Sequence, residues 1–222
     1  MTVATPAKVM LKVMGSRSKE QEEITVIWGQ EVEAECKVML PSNPAPSLHL
    51  SLNNSSQVTR TSSGTARLTY LPSLRESGSR FSCSWLQSGP DGGTLYKGEA
   101  VSGPLNVVMG PSLIMEMETQ FIYEEGLRIT PQFMAKPVPD PEDIRWYVLT
   151  ENQTTLDVQE AGEAGLVNLL PGSVRNIARN SNPDEWETEL RIYNLTDNVT
   201  VWFHAENSVG FLDKMFTGNE YK

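Results

Sequence analysis

The sequence predicts an all-β chain built as two tandem Greek-key β-sandwiches. Three observations carry that expectation. Short runs of alternating apolar and polar residues recur, separated by clusters of Gly, Pro, Ser and Asn, and long helical periodicity is absent. The two cysteines, Cys36 and Cys83, each sit inside such a run, 47 positions apart. A length of 222 residues suits two domains of about 100 residues each.

The first cysteine run is Gly29-Gln30-Glu31-Val32-Glu33-Ala34-Glu35-Cys36. A period of two puts Val32, Ala34, Cys36 and Val38 on one face and the glutamates on the other. The second, Phe81-Ser82-Cys83-Ser84-Trp85, alternates in the same way. A seven-strand sandwich needs about 45 to 55 residues between its second and sixth strands, so this spacing points to an inter-sheet disulfide. A buried bridge is the expected role of both cysteines, rather than reactive thiols.

Further strands of the first half are expected near 8–13, 24–28, 47–52, 65–71 and 97–108, beside the cysteine strands near 31–39 and 80–87. Gly15 to Glu23 reads as a polar surface loop, and Ser88-Gly89-Pro90-Asp91-Gly92-Gly93 as a hairpin turn. The domain boundary is expected at Met109-Gly110-Pro111, giving domains 1–110 and 111–222; so short a link implies a moderately stiff tandem. Strands of the second half are expected near 112–118, 126–134, 144–150, 165–170, 187–193, 199–206 and 210–217. There Ile144, Trp146 and Val148 point one way and Arg145 and Tyr147 the other; Val201, Phe203 and Ala205 oppose Trp202 and His204.

The bulk numbers limit function. Hydrophobic residues make up 39%, with 14 Pro and 16 Gly, which suits a loop-rich globular chain. No window of 18 apolar residues exists, so no membrane-spanning helix is expected. No secretory leader is visible either; if the protein is extracellular, the chain is a mature fragment with an added Met1. Residues 1–110 carry 10 Lys+Arg and 9 Asp+Glu (net +1), and residues 111–222 carry 8 and 19 (net −11), which sum to the formal charge of −10. The acidic half should repel nucleic acid and anionic lipid. It could steer a basic protein partner, though solubility explains the charge as well.

Five Asn-X-Ser/Thr sequons occur, at Asn53, Asn54, Asn152, Asn194 and Asn198, where chance would make about one or two. The excess favours a secreted or cell-surface history, in keeping with a compartment that permits disulfides. Chance in a Ser/Thr-rich chain is the competing reading. Asn53 and Asn54 are adjacent, so only one of them is expected to be modified.

Several segments are similar to members of the immunoglobulin superfamily. Asp197-x-Val199-x-Val201-x-Phe203-x-Ala205-x-Asn207-x-x-Gly210 resembles the sixth-strand signature of I-set domains, with Ala205 to Gly210 the nearest match. Trp146 fits the core tryptophan of the third strand. Asn43-Pro44-Ala45-Pro46-Ser47-Leu48-His49-Leu50 resembles the run entering that strand in the first domain. Glu76 to Cys83 is similar to the corner in second domains of nectin-like and nephrin-like adhesion receptors, so the pair resembles the second and third domains of such molecules. The resemblance implies two immunoglobulin-like sandwiches. The departures are equally informative. Leu50 stands where the core Trp belongs, and Trp85 can fill part of that volume. The second domain lacks both cysteines; Phe203 takes one position and Pro131 or Phe133 the other. Phe81 and Val201 lack the phenol of a tyrosine corner.

Catalytic chemistry is not signalled. The only histidines, His49 and His204, read as outward strand residues away from metal-ligand spacing. There is no Gly-rich phosphate loop and no nucleophile elbow. The runs Asp140-Pro141-Glu142-Asp143 and Asp184-Glu185-Trp186-Glu187 lack the spacing of a calcium loop and read as solvated loops. No cofactor, metal or nucleic acid is expected, nor membrane insertion by this chain.

The expected function is therefore binding. Trp202 and Tyr147 should point outward on paired strands, a typical anchor of a protein interface. The equivalent positions of the first domain, His49, Ser51, Ser82 and Ser84, are polar. The competing reading is a Trp202 covered by a loop or by a glycan on Asn198. The chain reads as a cell-surface adhesion or recognition module with a homophilic or heterophilic protein partner. The alternatives are a soluble secreted immune-recognition protein and a structural spacer.

Overall fold

The computed structural model describes residues 4–14, 23–40, 42–53, 58–61, 64–114, 120–122, 126–149, 155–157, 168–171, 174–177, 184–193 and 199–218. It is all-β, and the chain divides into two compact units, Met1–Val108 and Met109–Lys222.

The first unit contains β1 (Val9–Met14), β2 (Ile24–Ile27), β3 (Val32–Val38), β4 (Ser47–Leu52), β5 (Val58–Thr61), β6 (Thr65–Tyr70), β7 (Phe81–Ser88), β8 (Thr94–Val101) and the start of β9 (Leu105–Leu113). One sheet has the order β1-β3-β6 and the facing one β5-β4-β7-β8. β2 pairs in parallel with β9, Ile24 to Ile27 against Leu105 to Val108. Alternation builds the core: Val32, Ala34 and Cys36 from β3 meet Leu48, Leu50 and Leu52 from β4, with Ala66, Leu68 and Phe81 around them. The Cys36–Cys83 disulfide crosses this core with a Cα–Cα distance of 6.2 Å, inside the range such bridges adopt.

Leu50 is fully buried directly opposite Cys83. Trp85 packs against the core from the next inward position of β7, as its parity requires. Its ring lies over its cross-strand neighbour Gly98, where an added Cβ would come within 2.7 Å of the indole. Gln87, also fully buried, closes the end of β7. Its side-chain oxygen accepts a hydrogen bond from the Ala7 amide at 2.8 Å, and its amino group donates to the carbonyls of Thr5 and Pro44.

The expected single strand over 97–108 is two. Ser102 to Pro104 separate β8 from β9: Pro104 has no N–H for the ladder, and the Ser102 hydroxyl accepts from the Phe81 amide while donating to the Gly103 carbonyl. The chain thereby leaves β7 and joins β2.

In the second unit the later residues of β9 pair with β12; of the strand expected at 112–118, Ser112 and Leu113 belong to β9 and 115–118 lie outside the described residues. The remaining strands are β10 (Gln120–Ile122), β11 (Gly126–Ile129), β12 (Gln132–Lys136), β13 (Ile144–Leu149), β14 (Thr155–Asp157), β15 (Asn168–Pro171), β16 (Arg175–Asn176), β17 (Glu185–Glu187), β18 (Leu190–Tyr193), β19 (Val199–Glu206) and β20 (Phe211–Gly218). β14-β13-β19-β20 form one sheet and β10-β11-β18-β15 another, with β16-β17-β12 continuing onto β9. The runs expected at 126–134 and 187–193 are each broken at the same level. Pro131 interrupts one strand and accepts the Thr188 amide of the other through its carbonyl.

Packing replaces the missing disulfide here. Phe133 and Phe203 are both fully buried, with ring centroids 5.9 Å apart, and Trp146 lies 4.8 Å from Phe203. Phe133 thus faces Phe203 across the core; Pro131 is buried at the strand break instead. The Asp184 to Glu187 run is not a loop. It forms β17, where Trp186 donates to the Ala135 carbonyl and the buried Glu187 carboxylate is paired with Arg175 and hydrogen-bonded by Gln132. Nearby, burial alone would push the Glu189 carboxyl up, but hydrogen bonds from Arg191 and Arg128 hold it below the usual carboxylate range.

Candidate partner-binding face

The outward surface of β14-β13-β19-β20 follows from the alternation that fills the core. On β19, Val201, Phe203 and Ala205 are buried, so Trp202, His204 and Glu206 turn outward. Register then sets the neighbours: Tyr147 of β13 stands directly opposite Trp202, and Met215 of β20 directly opposite on the other side. Trp202 is 45% exposed and Met215 55%, while Tyr147 is half-buried. The two expected contact residues are therefore immediate cross-strand partners in an apolar row three strands wide.

A polar row runs beside it. Arg145, His204 and Asp213 stand side by side across the same three strands. His204 Nδ1 lies 2.7 Å from an Asp213 carboxylate oxygen and Nε2 lies 3.6 Å from Glu206. The imidazole stacks against Phe211, which is 65% exposed at the head of β20. The Asp213 contact and the Phe211 ring hold the His204 side chain on this face, outward as its strand position in the sequence suggests. No group of three or more metal-ligating side chains occurs among the described residues.

Met215 and Phe211 are not legible in the sequence as contact residues. Their outward parity is visible in Phe211-x-Asp213-x-Met215, but their place beside Trp202 depends on the hairpin register. Asn207 sets that register. Its side-chain oxygen accepts the amides of Val209 and Gly210, and its amino group donates to the carbonyls of Met109 and Pro137. Gly110 lies so close to Gly210 that a Cβ there would sit 3.1 Å from the Gly210 Cα. The Ala205 to Gly210 signature is thus a mechanical joint that fixes β20 against β19.

The corresponding positions of the first unit are polar, although Leu86 and Val101 are exposed on the same face. His49 pairs with Ser84 and Ser51 with Ser82. The Ser84 hydroxyl lies 3.3 Å from His49 Nδ1, and the Ser82 hydroxyl bonds Glu99. His49 is half-buried, with no hydrogen-bond partner at Nε2. Of the sequons, Asn53 is exposed in the turn after β4, its amide donating to the Arg80 carbonyl. Asn54, Asn152, Asn194 and Asn198 lie outside the described residues. No described helix is long and apolar enough to cross a membrane.

No protein-family model matches the chain, and no curated protein does. Among solved structures it is similar to a three-immunoglobulin-domain fragment of titin, an E-to-A mutated variant. Identity is 14% and the TM-score 0.54, over 92% of this chain and 63% of that one. It is also similar to a complex of Dpr2 Ig1-Ig2 with DIP-Theta Ig1-Ig3, at 15% identity and a TM-score of 0.41, over 93% of this chain and 63% of that one. The chain thus spans less than two thirds of the length of either. At such identity the titin likeness speaks for the fold alone, an immunoglobulin-type tandem of β-sandwiches.

Proposed function

We propose that this chain is an extracellular adhesion or recognition module, and that it binds a protein partner through the outward face of β14-β13-β19-β20. The observation that carries this reading is the row Tyr147, Trp202, Met215, which holds an indole in the open on a rigid sheet flanked by charged side chains. No bond is made or broken in this mechanism. An apolar centre desolvates on contact, and the surrounding Arg145, Asp213 and Glu206 select for complementary charge.

The extracellular setting is supported by the disulfide and the excess of sequons. The finer reading, a receptor of nectin-like or nephrin-like kind, rests on the Glu76 to Cys83 corner. A spacer segment predicts instead that no partner depends on this face. The test uses a partner obtained from a screen of extracellular proteins. Trp202→Ser should fold as the parent does and weaken affinity about 30-fold, the loss expected of an aromatic anchor. Affinity unchanged by Trp202→Ser, with binding lost on a change at Ser84, would move the site to the first unit and sink the reading.

A further inference from the structure

We infer that the partner is a second copy of this chain, joined through the outer edge of β20 by antiparallel β20–β20 pairing. This inference rests on the proposed role of the Tyr147–Trp202–Met215 row and names what completes it. The starting point is the hairpin. The Asn207 amide donates to the Gly210 carbonyl, which makes these two a hydrogen-bonded pair. Hydrogen-bonded and non-bonded pairs alternate along an antiparallel ladder. By the register of β19 and β20, residues 212, 214 and 216 therefore turn their backbone groups to β19. Phe211, Asp213, Met215 and Thr217 direct theirs away from it. Among the described residues no strand pairs with that outer edge. In the first unit β2 adds to β9, but in the second the early strand β10 stays with β11.

Such an edge is a template for another extended chain. β20 is eight residues long, regular in register and without proline, so charge is its one protection, from Asp213 and Lys214. The outer edge of β8 carries Lys97 and Glu99 and, unlike β20, a register shift at Gln87/Ser88.

The charge pattern of β20 admits a second copy and selects its register. Its only charges, Asp213 and Lys214, cancel. Pairing about Lys214 would set two ammonium groups face to face, and pairing about Asp213 two carboxylates; both oppose association. Pairing about Met215 sets Met215 against its own copy and leaves no like charges opposite. It also brings two backbone-bonded positions together on the two-fold axis. In this register the apolar row doubles, running Tyr147, Trp202, Met215 and on through the same residues of the second copy. The net charge of −11 on each acidic half opposes approach only through screened, long-range repulsion, so added salt should tighten the dimer.

The test is sedimentation equilibrium of the full chain across a wide concentration range and two salt concentrations. Wild type should dimerise reversibly. Met215→Pro removes an edge-facing N–H and no bond to β19, and Met215→Lys places two ammonium groups on the axis; each should weaken association about ten-fold or more. Both should keep the parent's circular dichroism, and Met215→Lys leaves the backbone intact if the proline disturbs the strand. A wild-type monomer at every concentration overturns this inference and leaves the face free for a different protein, which Trp202→Ser then judges. A dimer broken by Trp202→Ser but indifferent to both Met215 changes overturns the edge pairing while upholding the face. A dimer indifferent to all three overturns both.

Discussion

Phe203→Ala should destabilise the second sandwich by about 3–5 kcal/mol, the usual loss when a buried phenylalanine is truncated. Phe203 is fully buried and sits where two other rings converge, Phe133 at 5.9 Å and Trp146 at 4.8 Å. Its register explains the size of the effect. Phe203 stands opposite Trp146 as Cys83 stands opposite Leu50, so it occupies in the second unit the place that the disulfide holds in the first. At that place the two sheets meet through the Phe133–Phe203 contact and no covalent bond. Removing the ring leaves a void walled by Phe133 and Trp146, which β-strands cannot easily collapse to fill. Scanning calorimetry of the full chain should show the second unit's transition moving down and the first unit's unmoved. A loss below about 1 kcal/mol would mean that the walls relax and that this aromatic contact does not stand in for the bridge.

The paired change Cys36→Ala with Cys83→Ala should cost the first sandwich about 4 kcal/mol. That is the chain-entropy value for closing a loop of this length, within the 2–5 kcal/mol typical of small domains. The bridge joins β3 to β7 across a core where Leu50 replaces a larger aromatic. Trp85 and Gly98 offset part of the missing volume, since the ring lies over a position with no side chain to obstruct it. The second unit has no cysteine and serves as the internal control: a reductant should lower the first transition and leave the second in place. If the second transition moves instead, the assignment of transitions to units is wrong. If neither moves, the bridge does not hold the first core together.

The strands with an uninterrupted period of two are legible in the sequence: β3, β4, β7, β13 and β19 lie within a residue of expectation. What decides the rest is not periodic. Pro104 and Pro131 break ladders that look continuous by hydropathy, because a missing N–H leaves no trace in an apolar pattern. β17 is hidden for the opposite reason: its acidic sequence reads as solvent-facing, yet Glu187 is buried against Arg175 and Gln132. Short pieces such as β14 and β16 carry too few residues to show a period. The candidate face is half visible. Parity alone places Trp202 and Tyr147, whereas Met215 and Phe211 need the register that Asn207 imposes. That register comes from bonds inside the turn, Asn207 to Val209 and Gly210, which the alternation of apolar and polar residues does not reveal.

The five tryptophans are distributed unequally between core and solvent, and this gives the molecule a built-in optical record of its own state. Trp146 is 3% exposed beneath Phe203, and Trp202 is 45% exposed on the other side of the same sheet. A collisional quencher dissolved in water reaches the second indole and not the first. Occlusion of the face would therefore shield the Trp202 share of the quenchable emission, leaving the share of Trp28, 46% exposed in the first unit, and the buried emission unaltered. Loss of the core would do the reverse, turning a protected emitter into an accessible one. Docking and unfolding leave opposite signatures in the same spectrum.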